Sequence, residues 1–314
     1  MSFSTKNTPI IQLGINFFRK KVRFAQIDII FLQRGQGDFQ KKTPLGFLKE
    51  KNMKNHFLSA LSAGFLLFTT CFAQSANEIA KKVHDLPSGK TSSGLVSVTL
   101  IDKNGKTRNR ELVSYTMKDG TTDKTVLMFK TPRDVAGISY LTYDYPDKAD
   151  GSTVDSDSWI YIPAMKKVRR VSGSSKDDDF QGTDFTYDDL GNRSLSKDNF
   201  ALLGEEKVNG TDCWILEAKA KDSKAKVSRR VTWVNKKTYV VMKGEYFDKQ
   251  NRLQKTLSAD DIKQVNGYWT TLKQTMTNVQ TNHKTIYEVK NLKYDEKVNE
   301  SYFTVSALER EQIK

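Results

Sequence analysis

The sequence predicts a mainly β protein: one long antiparallel meander of ten or more strands, introduced by a single helix. Three observations predict it. Beyond residue 90 the apolar residues recur with period two, the signature of strands with one buried face. Tight-turn signals punctuate these runs, with Asn-Gly at 104–105, 209–210 and 266–267, the strongest short hairpin signal. Finally, strand–helix–strand alternation, GxGxxG and a P-loop are all missing, which excludes a parallel α/β sheet.

The elements follow in order. Ile79, Val83 and Leu86 stand at helical spacing. Ser75 or Asn77 can cap that helix, and Pro87 with Gly89 stops it. Val96, Val98 and Leu100 then alternate with Ser97 and Thr99. Further strands are expected at 112–117, at 125–130 before Pro132, at 139–145, at 159–163 and at 168–172. The segment 176–195 breaks the pattern: it is rich in Asp, Gly and Ser. Thr183 or Asp184 is expected to cap a short helix there, with Phe185 and Leu190 turned inward. The alternation resumes as Lys207-Val208 lead through Asn209-Gly210 into strands at 212–220, 227–234, 239–247, 253–265, 268–279 and 285–294. Residues 305–313 are expected to add one or two helical turns.

The chain ahead of this meander reads differently. Lys54, Asn55 and His56 follow Met53. An apolar run over 57–68 comes next, then Thr69-Thr70-Cys71-Phe72-Ala73. That is the layout of a secretory signal, with cleavage expected after Ala73. An apolar run this short falls below the roughly 20 residues a membrane-spanning helix needs. The expected organisation is therefore an upstream extension over 1–52, a signal peptide over 53–76 and one domain over 77–314. An unusually long leader is the alternative for 1–52. Lipidation at Cys71 is the alternative to simple cleavage, weakened by Thr70 where a small residue is usual.

Residues 1–76 hold 11 basic and 3 acidic side chains against 51 and 37 in the whole chain, so the remainder carries a net charge of only +6. That is a solubility feature. No basic cluster interleaved with aromatics points to nucleic acid. With Cys71 removed, Cys213 stands alone, and the fold must rest on its core.

Catalysis finds little support. The domain has His84 and His283, far apart in sequence, and one cysteine. GxSxG, HExxH and CxxC are missing, and the acidic clusters Asp177–Asp179, Asp184, Asp188 and Asp189 lack the calcium-loop pattern. No catalytic residue, metal or cofactor is expected. The acidic loop is expected to pair with the basic run 166–170. Arg169 and Arg170 point to opposite faces of a strand. They form, with Asp184 and Asp189, the expected rim and ion-pair set. The strand-borne aromatics Trp159, Tyr161, Trp214, Trp233, Tyr246 and Trp269, with Phe185 and Tyr187 of the loop, are the candidate lining of a groove. More than eight strands leave room that side chains alone do not fill. The helix over 79–86 and the 185–190 turn are natural lids.

The stretch from Trp159 to Leu190 carries a resemblance. It reads Trp-Ile-Tyr-Ile-Pro-Ala-Met, then the basic run 166–170, then Gly182-Thr-Asp-Phe-Thr-Tyr-Asp-Asp-Leu190. It resembles the LolA-like family of outer-membrane lipoprotein-sorting proteins. The resemblance implies a half-open antiparallel β-barrel, LolA/LolB-like, with short helical lids. It also implies periplasmic residence and a role in carrying acyl chains of lipoproteins or lipids toward the outer membrane. An inner-membrane exporter of the RND type is the partner it suggests. No residue matches the gating arginine of the best-known carriers, which leaves unloading open. Two rivals stand beside this reading: an outer-membrane β-barrel protein and an envelope lipid- or glycan-modifying enzyme. The former is disfavoured by charges on both faces of 226–230 and by a C-terminus without an aromatic strand.

Overall fold

The computed structural model describes residues 74–148, 150 and 152–313. The upstream extension, the signal stretch up to Ala73 and Cys71 lie outside the described residues. The described chain opens with α1 (Ala76–His84), set by a reciprocal cap. Ser75 Oγ accepts from the Glu78 amide at 3.2 Å, and Glu78 Oε2 accepts from the Ser75 amide at 2.9 Å, so two orphan donors of the first turn are satisfied.

Thirteen strands follow: β1 (Thr91–Ile101), β2 (Thr107–Asp119), β3 (Thr122–Thr131), β4 (Ser139–Asp144), β5 (Asp157–Ile162), β6 (Lys167–Val171), β7 (Asp198–Val208), β8 (Thr211–Ala220), β9 (Val227–Asn235), β10 (Val241–Asp248), β11 (Leu253–Val265), β12 (Tyr268–Asn278) and β13 (His283–Tyr294). The β7–β8 and β11–β12 hairpins turn on Asn209-Gly210 and Asn266-Gly267. All four of these residues have positive φ, the backbone that matches the twist of paired strands. β7 is longer than expected: the polar, weakly alternating run 198–206 pairs with β8 on both sides of a bulge at Leu203.

All neighbours are antiparallel, in the order β6-β5-β4-β3-β2-β1-β13-β12-β11-β10-β9-β8-β7. The first and last strands meet in the middle of the sheet. β6 and β7 are its two edges, and they do not pair, so the sheet is open. Lys167, Arg169 and Arg170 guard the β6 edge with charge. The β7 edge is broken by a register shift between Leu202 and Gly204.

Directly paired residues share a face, so the register sorts the sheet into two surfaces. One row runs Leu216–Thr232–Gly244–Leu257–Met276–Thr285–Leu100 across seven strands. Gly244 is needed in it: a Cβ there would stand 3.1 Å from the Tyr246 ring and 3.4 Å from the Leu257 Cβ. On this inner face α1 packs Ile79 and Ala80 against Leu216 and Val234. The crossover linking β6 to β7, residues 172–197, lies on the same face. Its Phe180 rests on Phe129 and Tyr140, with ring centroids 5.7 Å away in each case. Its Phe185 stacks on Tyr287 at 4.4 Å. One segment touching β3, β4 and β13 requires the sheet to curve around it.

The outer face of β3–β5 is covered by the C-terminus. A short helix, α2 (Val305–Glu309), and its flanks lay Phe303, Leu308 and Ile313 over Val126, Met128, Leu141 and Tyr161. Phe303 and Leu308 are each only 1% exposed, and burying a side chain of this size contributes about 1.5–3 kcal/mol. The helical end expected at 305–313 is thus short and structural. Among the described residues no helix is long and apolar enough to cross a membrane.

Candidate ligand-binding cavity

The inner face is not filled. Between the sheet and the crossover lies a cavity of about 380 Å³ walled by Val96, Leu112, Leu127 and Val289 from below and by Phe185 and Leu190 from above. It adjoins a second, more polar space of about 350 Å³, with Thr116, Thr125 and Leu190 common to both and His84, Lys118 and Asp144 on its walls. Together they make an apolar chamber with a polar vestibule, each at the lower end of ligand-site volumes.

The roof of the chamber is held by charge. Lys255, on the inner side of β11 and 4% exposed, donates to Asp179 Oδ1 at 2.9 Å and to the Asp184 carbonyl at 2.7 Å. The Asp184 carboxylate accepts from Thr285 Oγ1 at 2.7 Å and lies 2.7 Å from His283 Nδ1. Lys226 donates to Asp178 at 2.5 Å. Farther along, Arg193 forks between Asp188, at 2.6 Å, and both Asp198 oxygens, at 2.8 and 3.0 Å, the bidentate geometry that suits a guanidinium. Burial alone would raise the Asp188 carboxyl, but Arg193 outweighs it and holds the group below its ordinary range. The same two carboxylates raise Arg193 against the pull of burial.

Two buried groups at the chamber are less well served. Burial pushes the Asp144 carboxyl up to about 6, against the opposing Asn192 amide and Lys176. Burial also pushes the Tyr287 hydroxyl up, so it stays a neutral donor. Thr183 sits beside that hydroxyl and offsets part of the shift, yet no hydrogen bond of ordinary geometry forms there and the oxygen is left unpaired. An unpaired buried hydroxyl costs about 1–3 kcal/mol.

The structure divides the expected groove aromatics. Phe185 and Tyr187 lie in the roof, and Tyr187 meets Phe180 edge-on at 5.4 Å. Trp214 is on the inner face under α1, stacked on Tyr239 at 5.5 Å. Tyr246 is on the inner face beside Arg230. Trp269 lines a separate cavity beside α1. Trp159 and Tyr161 are corrected: they pack on the outer face beneath α2, because they alternate with the inward Ile160. Trp233 is corrected in the same way: it belongs to an outer cluster with Cys213 and Val231, its Nε1–H donating to Glu206.

The rim set also changes partners. Arg170 pairs with Asp157 on the neighbouring strand, not with the acidic loop. Arg169 is exposed and forms no ion pair with the described residues. The acidic loop is held instead by Lys226, Lys255, Arg193 and His283. Asp189 folds its own turn by accepting from the amide and hydroxyl of Thr186, both at 2.8 Å. Thr183 and Asp184 cap no helix: the short turn at Asp188–Leu190 has no side-chain cap. Sequence reasoning missed Lys255, Thr285 and the aliphatic floor. Lys255 left a legible signal, a lysine in register with Leu257 and Ala259 on one strand face. Among the described residues no group of three or more His, Cys, Asp or Glu is arranged to hold a metal ion.

Comparison with known proteins places this architecture. A family model described as "Uncharacterized protein" matches residues 121–310. No curated protein matches the chain. A DUF1329 family protein from Desulfovibrio piger is 32% identical, with a TM-score of 0.68 over 74% of this chain and 97% of that one. A domain assigned as an outer-membrane lipoprotein-sorting protein from Vibrio parahaemolyticus is 29% identical, with a TM-score of 0.68 over 74% of this chain and 98% of that one. A LolA superfamily protein from Nitrosomonas europaea, 16% identical with a TM-score of 0.58, covers 74% and 99% and shares the fold.

Proposed function

This chain belongs to the DUF1329 family, with the open β-barrel fold of the LolA superfamily, and from that premise we propose that it is a periplasmic carrier of acyl chains. It binds lipids or lipidated proteins in the chamber between sheet and crossover and moves them toward the outer membrane. The observation that carries this reading is the apolar chamber of about 380 Å³, opening on a polar vestibule beneath a roof held by ion pairs. The Vibrio relative, assigned to lipoprotein sorting, supports the cargo class. The signal-like stretch that begins at Met53 supports the compartment.

The energetics suit transfer. Each buried methylene contributes about 0.8 kcal/mol, but a bilayer offers an acyl chain the same gain. A carrier therefore works near balance with the membrane. A chamber of modest volume that opens on a polar vestibule suits that balance, because cargo can enter and leave without unfolding the sheet. An inner-membrane exporter of the RND type is the proposed donor or acceptor.

Native mass spectrometry of the purified mature protein is expected to show co-purified lipid. A Leu127→Trp variant, which fills the chamber from its floor, is expected to lose that lipid while still folding. Wild-type protein free of lipid, and unable to take up a fluorescent fatty acid, would overturn the reading.

A further inference from the structure

A third cavity, of about 490 Å³, lies outside the chamber, between α1 and the β9–β10 and β11–β12 turns. Its walls are apolar: Leu86, Pro87, the Tyr239 ring and Trp269. Trp269 is 39% exposed, one of few large apolar side chains left open to solvent among the described residues. Tyr239 holds a left-handed backbone, φ 60°, a conformation that bulky residues avoid unless the surroundings impose it. That backbone lays its ring between Trp214 and α1, with Lys82 Nζ 4.8 Å from the ring centroid.

The charges at the rim are unequal. Glu78 is engaged with the Ser75 amide in the helix cap. Asp85 is engaged with Lys81 and His84. Lys82 donates to a neutral phenol, Tyr239 Oη, at 3.0 Å, and its proximity lowers that hydroxyl's pKa. Lys237 forms no ion pair with the described residues. The cavity thus offers an apolar trough with two ammonium groups, Lys82 and Lys237, uncommitted to any carboxylate among the described residues.

We propose that this cavity binds the anionic end of a single-chain amphiphile, a carboxylate or phosphate held by Lys82 and Lys237 with its chain against Trp269, Leu86 and Pro87. Leu86 also lines the polar vestibule, so the site lies beside the entrance to the chamber. The inference rests on the carrier reading for its compartment and deepens it by naming the charge class of the ligand.

Titration of the mature protein with laurate, dodecyl phosphate, dodecanol and inorganic phosphate, followed by tryptophan emission, tests it. Laurate and dodecyl phosphate are expected to shift the emission, and a Trp269→Phe variant to lose that shift. The double variant Lys82→Gln/Lys237→Gln is expected to bind both anionic amphiphiles about tenfold more weakly. It should bind dodecanol as wild type does, which also reports that it is folded. Inorganic phosphate alone is expected not to compete, which separates a lipid head group from a free ion; effective competition would overturn the amphiphile assignment. Unchanged laurate affinity in the double variant, equal loss for dodecanol, or an emission shift that survives Trp269→Phe would each overturn the site. Laurate binding that is indifferent to the lysines but blocked by Leu127→Trp leaves the carrier reading standing and removes only this inference.

Discussion

The two faces of the sheet are each roofed by a short piece of chain, and the two roofs are held by different forces. On the outer face the C-terminal segment inserts Phe303, Leu308 and Ile313 among Val126, Met128, Leu141 and Tyr161. On the inner face the crossover inserts Phe180, but its centre is fixed by Lys255, Thr285 and His283 acting on Asp179 and Asp184. Apolar interdigitation is close-packed and leaves no room. Polar pins fix a position without filling the space beneath, and each can be exchanged for water or ligand. The difference lies in what does the holding: side-chain packing over one face, and directional polar contacts added to the Phe180 and Phe185 rings over the other.

The contrast is sharpest at Phe303. Phe303→Ala empties a fully buried site and is expected to cost about 3–5 kcal/mol in urea unfolding, with acyl-chain affinity of the folded protein unchanged. A loss below about 1 kcal/mol would mean that the outer roof is not part of the core. Lys255→Met is expected to act locally. Losing a buried, charge-assisted pin costs about 2–3 kcal/mol. Hydrogen exchange of amides 178–190 should accelerate while the central strands stay protected; uniform acceleration would erase the distinction between the roofs.

The smallest effect concerns Asp144, at the vestibule. Its folded pKa, about 6, stands above the ordinary 3.8. The native state therefore holds this proton more tightly than the unfolded chain does. Its contribution favours folding at low pH and fades as pH rises from about 4 to about 6. Asp144→Asn is expected to raise stability at pH 7 by on the order of 2 kcal/mol. It should also flatten the pH 4–6 limb of the stability curve. A variant less stable than wild type at pH 7 would show that the ionised carboxylate is a structural partner.

Much of this was legible in the sequence. The alternation from Val96 to Leu100, the Asn-Gly turns and the Ser75 cap follow from local chemistry, and the structure contains each. The inward turn of Phe185 and Leu190 was legible too. The faces were not. Trp159 and Tyr161 alternate with Ile160, so period two places them on one side of β5, but only the pairing partners reveal which side is concave. The unread clue lay downstream: Tyr302, Phe303, Val305 and Leu308 form an apolar surface that needed a wall, and β5 supplies it. The partners of the acidic loop come from strands up to about a hundred residues away, as with Asp184 and Thr285, and no local spacing encodes such a meeting. The first part of β7, ahead of Lys207, escaped notice because its solvent-facing edge exposes Leu202 and Leu203, blurring the alternation.

The central seam joins Thr91–Ile101 to His283–Tyr294, so the middle of the sheet cannot zip until synthesis of the domain is nearly complete. Loop closure over so long an interval is slow. Two half-sheets of adjacent hairpins must wait with their inward surfaces bare. That interval is a period of exposure to aggregation and proteolysis, and assistance during folding would act there.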